Sequence, residues 1–302
     1  MDKYIIETCP LCHSNRLKYA MKCCDFHASG EKFDLFSCED CNFLFTQGTP
    51  TGEGIEKYYA TPQYISHSNT KKGIINTTYH LVRSYTLRKK TRMVIYESHR
   101  RTGRILDIGA GTGYFADAMV GRGWTVNATE KNIEARAFAK EYFGLEIKDE
   151  RALHFFKPDS FNVITLWHTM EHMEKLNEIW QRLYELLTDK GILIVAVPNN
   201  ASYDAKKYKE YWAAYDVPRH LWHFTSTTIE KWGYKHGFIL ANRYSMPFDA
   251  FYISILSEKY RKSYFPIIRG IFTGIVGWFK TQSKKGKSSS IVYVFRKKQN
   301  ER

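Results

Sequence analysis

Apolar and polar positions alternate in one manner over most of the chain and in two other manners at its interruptions. From residue 105 to residue 198, short apolar runs of strand type (105–108, 124–129, 145–148, 161–167 and 192–198) are separated by amphipathic stretches of helical spacing that end at Gly121, at Phe143 and near Leu187. Alternation of this kind predicts parallel strands joined by helical crossovers, with helices on both faces of one sheet. A helix over 226–236 then leads past Gly237 to two further strands, 238–245 and 290–296, which brings the expected number to seven. Ahead of the block, 73–100 carries Ile75, Tyr79, Val82 and Tyr85 at helical spacing among many cations, as a long basic helix would. Two stretches break the rhythm. Residues 199–224 are rich in Tyr and Trp, and 246–289 are apolar with interspersed cations.

The strand at 105–108 runs into Asp107-Ile-Gly109-Ala110-Gly111-Thr-Gly113, and a helix opens at Tyr114. Glycine is needed where backbone must approach a ligand with no Cβ between them, and the first N–H groups of the helix offer donors. The next run ends in Glu130, where a carboxylate can accept both hydroxyls of a ribose; a nicotinamide enzyme would also use an acid there. The G-x-G-x-G spacing, with Asp107 at the carboxyl end of the strand, resembles motif I of the class I S-adenosylmethionine-dependent methyltransferases. That resemblance implies a doubly wound, seven-stranded, Rossmann-like α/β domain whose last two strands are antiparallel. It implies that Asp107 and the backbone of Gly109, Ala110, Gly111 and Gly113 hold the methionine half of S-adenosylmethionine, with Glu130 on the ribose and Leu153 among the contacts. It also implies that the segment before motif I folds over the cofactor as a lid, bringing Tyr59 and Tyr64 near it.

Trp167 and His168 end the strand at 161–167, so they are expected where ligands collect in open α/β sheets. The following Thr-Met-Glu171-His172 matches the family's segment at that place; the alternative is that Glu171 and His172 only cap or stabilise the next helix. The aromatic insertion at 199–224 would wall an acceptor pocket. Its run Asp216-Val-Pro-Arg-His220-Leu-Trp-His223-Phe resembles the substrate-side segment of a branch that includes quinone-biosynthesis and sugar methyltransferases. His220, and after it His223, is expected to take the acceptor's proton, because imidazole titrates near neutrality. Tyr215 and Glu171 would orient the ring or the substrate. The competing reading is that both histidines only bond backbone across a loop.

Composition changes the picture at two places. Six cysteines in a chain expected to be cytoplasmic argue against a disulfide framework, and Cys9-x-x-Cys12 with Cys38-x-x-Cys41 has the spacing of two knuckles on one tetrahedral zinc. Cys23 and Cys24 are adjacent and read as buried thiols. The net charge of +14 is concentrated at 71–104 and 259–302, which suits nucleic acid, anionic lipid or a phosphorylated substrate. Met1 to Glu7 holds no long apolar region, and no run reaches the ~18 apolar residues of a membrane span. The organisation expected is a zinc ribbon at 1–47, a linker and basic lid helix at 48–102, and the methyltransferase domain at 103–302, with insertions at 199–224 and 246–289. The activity expected is methyl transfer from S-adenosylmethionine to a small hydroxylated acceptor, such as a sugar, nucleotide-sugar, quinone or lipid-linked metabolite. Residues 265–287 are expected to meet a membrane face, a partner or their own domain. Two other classes stay open: a nucleic-acid methyltransferase or binder using the ribbon and the basic helix, and a domain that holds cofactor without catalysis.

Overall fold

The computed structural model describes residues 3–59, 74–283 and 287–299. Three antiparallel strands, β1 (Leu17–Cys24), β2 (Lys32–Cys38) and β3 (Leu44–Gln47), build the N-terminal module, and the helix α1 (Ile74–Ser98) follows. The main sheet opens with β4 (Arg104–Ile108), α2 (Tyr114–Val120), β5 (Thr125–Thr129) and α3 (Ile133–Phe143). It continues with β6 (Phe161–Trp167), α4 (Leu176–Leu186) and β7 (Leu187–Pro198). After α5 (Tyr203–Tyr208) and the short β8 (Trp222–His223) come α6 (Ser226–Lys235), β9 (Phe238–Ser245), α7 (Pro247–Tyr260), α8 (Pro266–Ser283) and β10 (Ser290–Lys297).

Strands pair in the order β9-β10-β7-β6-β4-β5, with β10 antiparallel to both neighbours and the rest parallel. Side chains of β4 alternate between two cores, as period two requires. Leu106 and Ile108 join Trp180 of α4 and Trp232 of α6 on one face, while Ile105 joins Val94 of α1 and Phe115 of α2 on the other. The sheet departs from expectation at the edge beyond β5. The stretch 145–148 makes a single bridge, Lys148 to Thr129, because only Ile147 of that run is buried and nothing more draws it onto the sheet. The sheet therefore has six strands where seven were expected. A second departure lies in β7, which starts directly at the end of α4. Its register against β6 jumps from Phe161 opposite Leu187 to Val163 opposite Ile192, so residues 188–191 form a bulge inside the strand.

The N-terminal module is not a separate body. β8, which belongs to the insertion at 199–224, pairs with β3 through Trp222 opposite Phe45 and His223 opposite Leu44, giving a four-stranded sheet β8-β3-β2-β1. Phe43 stacks on Trp222 at 5.9 Å and meets Trp232 edge-on at 5.7 Å, and Asn177 and Lys235 both donate to the Pro10 carbonyl. The boundary expected at residue 47 is thus a boundary of the chain and not of the packing.

The insertion at 246–289 is a pair of helices, α7 and α8, in close contact. A Cβ on Gly270 would lie 2.6 Å from Ile255 Cα, and one on Gly274 2.5 Å from Phe251 Cδ1, so these glycines set the spacing of the pair. On its outer face α8 leaves Ile268, Phe272 and Phe279 between 63% and 68% exposed. No helix among the described residues is long and apolar enough to cross a membrane.

Candidate active site

β5 and β6 flank β4 on opposite sides, so the order of the sheet reverses at β4, and ligands in open α/β sheets collect outside the strand ends at such a point. Two loops fill it, 109–113 after β4 and 168–172 after β6. Gly109 has φ +71°, and a Cβ there would lie 2.3 Å from Thr169 Oγ1, whose hydroxyl donates to the Ile108 carbonyl at 3.1 Å. The first glycine therefore joins the two loops. Gly113, at φ +83°, lets α2 start against Ala139, whose Cβ would be 3.0 Å from an added one. Gly111, at φ +54°, has nothing within 4 Å of that position and faces open space.

Backbone groups fix the turn around this opening. The amides of Gly109 and Ala110 both donate to the Thr129 carbonyl, at 2.8 and 3.0 Å. Glu130 accepts from the Gly111 amide at 2.8 Å and from the Asn132 amide at 2.9 Å. Its carboxylate is held beside the open glycine with lone pairs to spare. Asp107 stands near the carboxyl end of β4, 2% exposed, and accepts from the Thr165 hydroxyl of β6 at 2.6 Å. Burial pushes its carboxyl up to about 7, against the opposing pull of that hydrogen bond and of Lys90.

α1 supplies one wall of a neighbouring cleft. Tyr85, Lys90, Met93, Trp167, Phe248 and Asp249 line this open cleft, with Lys90 Nζ 4.3 Å from the centre of a Trp167 ring and Tyr85 edge-on to Phe248 at 5.5 Å. His168 sits beside it in the left-handed region, φ +57°. Its Nε2 is 3.1 Å from Asp249 Oδ2 and its Nδ1 3.5 Å from Glu171 Oε1. Burial disfavours the imidazolium, but the two carboxylates outweigh it and raise the pKa to about 9. Leu153 is 4% exposed and packed in the main core, and Tyr64 lies outside the described residues.

The region where the acceptor was expected is built from distant segments. Glu171 is fully buried and neither carboxylate oxygen has a hydrogen-bond partner. His172 Nδ1 donates to the Arg219 carbonyl at 3.0 Å, with the Tyr59 hydroxyl 3.3 Å from the same nitrogen. The His172 and His220 rings meet edge-on at 4.6 Å, and His220 Nδ1 donates to the Ala214 carbonyl at 2.9 Å. Burial, with His220 alongside, pushes His172 down to about 4, so it is neutral at working pH. The cap reading of Glu171 and His172 finds no support, since α4 begins at an N-cap, Lys175, that makes no side-chain capping bond.

Two residues expected here stand apart from that cluster. The Thr46 hydroxyl donates to the His220 carbonyl at 2.7 Å, so His223, whose Nε2 is 2.9 Å from Thr46 Oγ1, must donate to it. His223 therefore belongs to the seam between β3 and β8, where burial holds it well below its usual pKa. Tyr215 packs edge-on to Trp212 and to His223, at 5.0 and 5.2 Å, and burial pushes its phenol up. What secures the run instead is Arg219, 2% exposed, which donates to Asp216, to Asp25 at 2.9 Å and to the Tyr58 carbonyl at 2.9 Å.

The four cysteines converge as their spacing predicted. Cys9 and Cys41, and likewise Cys12 and Cys38, bring their sulfurs to 3.5 Å, and all four lie within 4.8 Å of one another. Bonds of about 2.3 Å to one tetrahedral zinc need sulfur separations close to these, so the site fits that ion. His13 and Asn42, the residues after the second cysteine of each knuckle, take φ +61° and +58° and donate backward to Cys9 and Cys38 carbonyls. Of the adjacent pair, Cys23 is buried but Cys24 is partly exposed.

Sequence reasoning missed Asp249, Lys90 and the Asp25–Arg219–Asp216 set. Asp249 had a signal: it and Glu258 are the only acids in 246–289, and both are engaged, Glu258 accepting from Tyr208 at 3.0 Å while fully buried. Asp25 had none, since its partner is 194 residues away.

A family model described as a methyltransferase domain matches residues 80–241. Among curated proteins, a ubiquinone biosynthesis O-methyltransferase of Caulobacter sp. (strain K31) is 34% identical over 103 residues, 32% of this chain and 41% of its own length. An uncharacterized methyltransferase of Staphylococcus carnosus (strain TM300) is 28% identical over 113 residues, 36% of this chain and 52% of its own. The chain thus spans about half the length, or less, of the curated relatives it matches. A solved structure described as a methyltransferase from Galdieria sulphuraria superposes with a TM-score of 0.51 at 16% identity, covering 74% of this chain and 88% of its own; the likeness is one of fold.

Proposed function

The chain belongs to the methyltransferase-domain family, and from that premise we propose that it transfers a methyl group from S-adenosylmethionine to a small hydroxylated acceptor. The observation that carries the reading is Glu130, held by two backbone amides at the lip of a glycine turn whose middle residue opens on empty space. Gly109, Ala110 and Gly113 shape that turn, Trp167 and His168 stand beside it with Lys90 of α1, and Tyr59 meets His172. Bound S-adenosylmethionine supplies a methyl that already carries its leaving group. The protein's part is to align the acceptor for in-line attack and to take its proton.

The proton's destination is the cluster of Glu171, His172 and His220. With Nδ1 committed to a carbonyl, His220 offers the lone pair of Nε2. A sugar or another hydroxylated metabolite remains the preferred acceptor class, and the relative described as acting in ubiquinone biosynthesis favours including quinone-type phenols. A nucleic acid is disfavoured by α1 itself, where Arg83 lies over the Tyr114 ring at 3.9 Å and Lys90 over Trp167, so two of its cations serve packing. Cys9, Cys12, Cys38 and Cys41 are assigned to one structural zinc.

The exposed apolar face of α8 supports peripheral contact with an anionic membrane, because no acidic residue occurs between Lys259 and Lys298 to oppose it. Co-sedimentation with anionic vesicles tests this part, and equal recovery with and without them would refute it. The activity is tested by incubating the protein with methyl-labelled S-adenosylmethionine and a metabolite extract. Label in a hydroxylated small molecule is expected; transfer only to nucleic acid, or none from protein that binds cofactor, would overturn it.

A further inference from the structure

Two imidazoles and a carboxylate converge at the proposed acceptor side, where His220 Nε2 also lies 4.0 Å from Asp216 Oδ2. One ligand atom from each of Glu171, His172 and His220 lies within 4.8 Å of those of the other two. Both rings are held in one tautomer by a backbone carbonyl, His172 through Nδ1 to Arg219 at 3.0 Å and His220 through Nδ1 to Ala214 at 2.9 Å. In each, Nε2 is the nitrogen left with a lone pair. This is how metal-binding histidines are customarily fixed, with the second nitrogen donating to a carbonyl or carboxylate. Glu171 is fully exposed to nothing but protein: it is completely buried, and both oxygens lack a hydrogen-bond partner. Its nearest cation is His168, at 3.5 Å, and His168 is itself drawn to Asp249 at 3.1 Å. The His168 cation is thus shared between two carboxylates, and a further cation is the partner that would complete the charge balance at buried Glu171.

We infer that Glu171, His172 and His220 form a binding site for a divalent transition-metal ion, distinct from the four-cysteine site. Two imidazoles and one carboxylate suit zinc, iron, cobalt or manganese and leave coordination positions open. Bonds of about 2.0–2.2 Å to one ion place neighbouring ligand atoms a little over 3 Å apart, so the side chains close by roughly an ångström from their present spread. His168 and Asp249 form the flanking pair that holds Glu171 in place. The inference rests on the proposed reading of this side as the acceptor pocket and deepens it. An acceptor hydroxyl entering an open position would lose its proton more readily, as metal-bound water does, and an acceptor with two neighbouring oxygens would chelate. His220 would then act through the ion and not as a free base.

The test uses full-length protein with zinc already on its cysteines and Co²⁺ alone as the probe, so it needs neither cofactor nor acceptor. Elemental analysis is expected to find one zinc and one cobalt per chain. The cobalt should show visible d–d bands without the near-ultraviolet thiolate charge-transfer band that exchange into the cysteine site would give. Glu171→Gln and His220→Asn should each weaken Co²⁺ binding at least tenfold while keeping one zinc, and His236→Gln should not. If Glu171→Gln loses its near-ultraviolet circular dichroism, His220→Asn, at a position on the rim of the cluster, carries the comparison. No cobalt beyond exchange at the cysteines, or equal affinity in wild type and in folded variants, overturns the site. Failure of methyl transfer with cobalt bound would count against the activity and leave the metal site standing.

Discussion

The glycine turn and the proposed acceptor side are neighbours of opposite construction. The turn is local: residues 107 to 132 supply it, backbone amides hold it, and its middle glycine faces open space. The acceptor side is assembled from residues near 25, 46, 59, 171 and 219, and buried charges and imidazoles hold it. Local construction suits a ligand that is the same across many proteins, since few residues need agree. Long-range construction suits an acceptor particular to one protein, because each segment can vary while the turn is kept.

The sharpest way to break the comparison is to disable the long-range side alone. Arg219→Ala leaves Asp25 and Asp216 without their cation in a buried setting, and removing one partner of such a set costs about 3–5 kcal/mol. Urea unfolding should show a loss of that size. S-adenosylmethionine affinity should be kept by the fraction that remains folded, since no residue of the turn touches this network.

A smaller effect separates two glycines within the turn. Gly109→Ala would drive a methyl group into Thr169 and strain the backbone, for a loss of about 2–4 kcal/mol in stability. Gly111→Ala meets no protein atom, so its stability cost is only that of a left-handed alanine, about 1–2 kcal/mol. Its effect should fall on cofactor affinity, measured by calorimetry. Equal affinity loss in both variants would mean that Gly111 does not face the ligand.

These contrasts explain what could be read from the chain. The turn, Glu130, both cysteine knuckles and most elements of the sheet follow from patterns a few residues long, and the structure places them there. Asp107, expected as a cofactor contact, is 2% exposed and braced by Thr165, a partner 58 residues away that no local pattern reports. His220 and His223 look equivalent in sequence, three residues apart, yet one faces Glu171 and the other is sealed against Thr46 by strand pairing with β3. No local pattern reports that pairing. The partner strand lies more than 170 residues away.

Removal of zinc probes the same pairing from the other end. A strong chelator should loosen the module that contributes β3, and with it the β8 seam, while leaving cofactor binding at the turn within a few fold. Tryptophan fluorescence should report the loss, because Trp222 lies on Phe43 and Phe45. An unchanged spectrum after complete removal of metal would separate the two sheets.

The smallest expected effect is one of pH. His168 is held protonated up to about 9 between Asp249 and Glu171, against an ordinary value near 6.5. The folded state then binds a proton that the unfolded chain has released, so this pair stabilises fully below about pH 6.5 and progressively less as pH rises through 9. His168→Gln should cost stability most below about pH 6.5 and progressively less as pH rises through 9, so that the fall across that window flattens. A steeper fall in the variant would contradict the assigned charge.

The account stands most directly on whether the open glycine turn holds S-adenosylmethionine through Glu130. Isothermal calorimetry of the purified chain with S-adenosylmethionine, its demethylated product and NADH settles it. Binding of the first two at one site per chain, with Glu130→Ala weakening it by about 1.5–3 kcal/mol, is the predicted result. Binding of NADH in their place, or indifference to the substitution at Glu130, would contradict it.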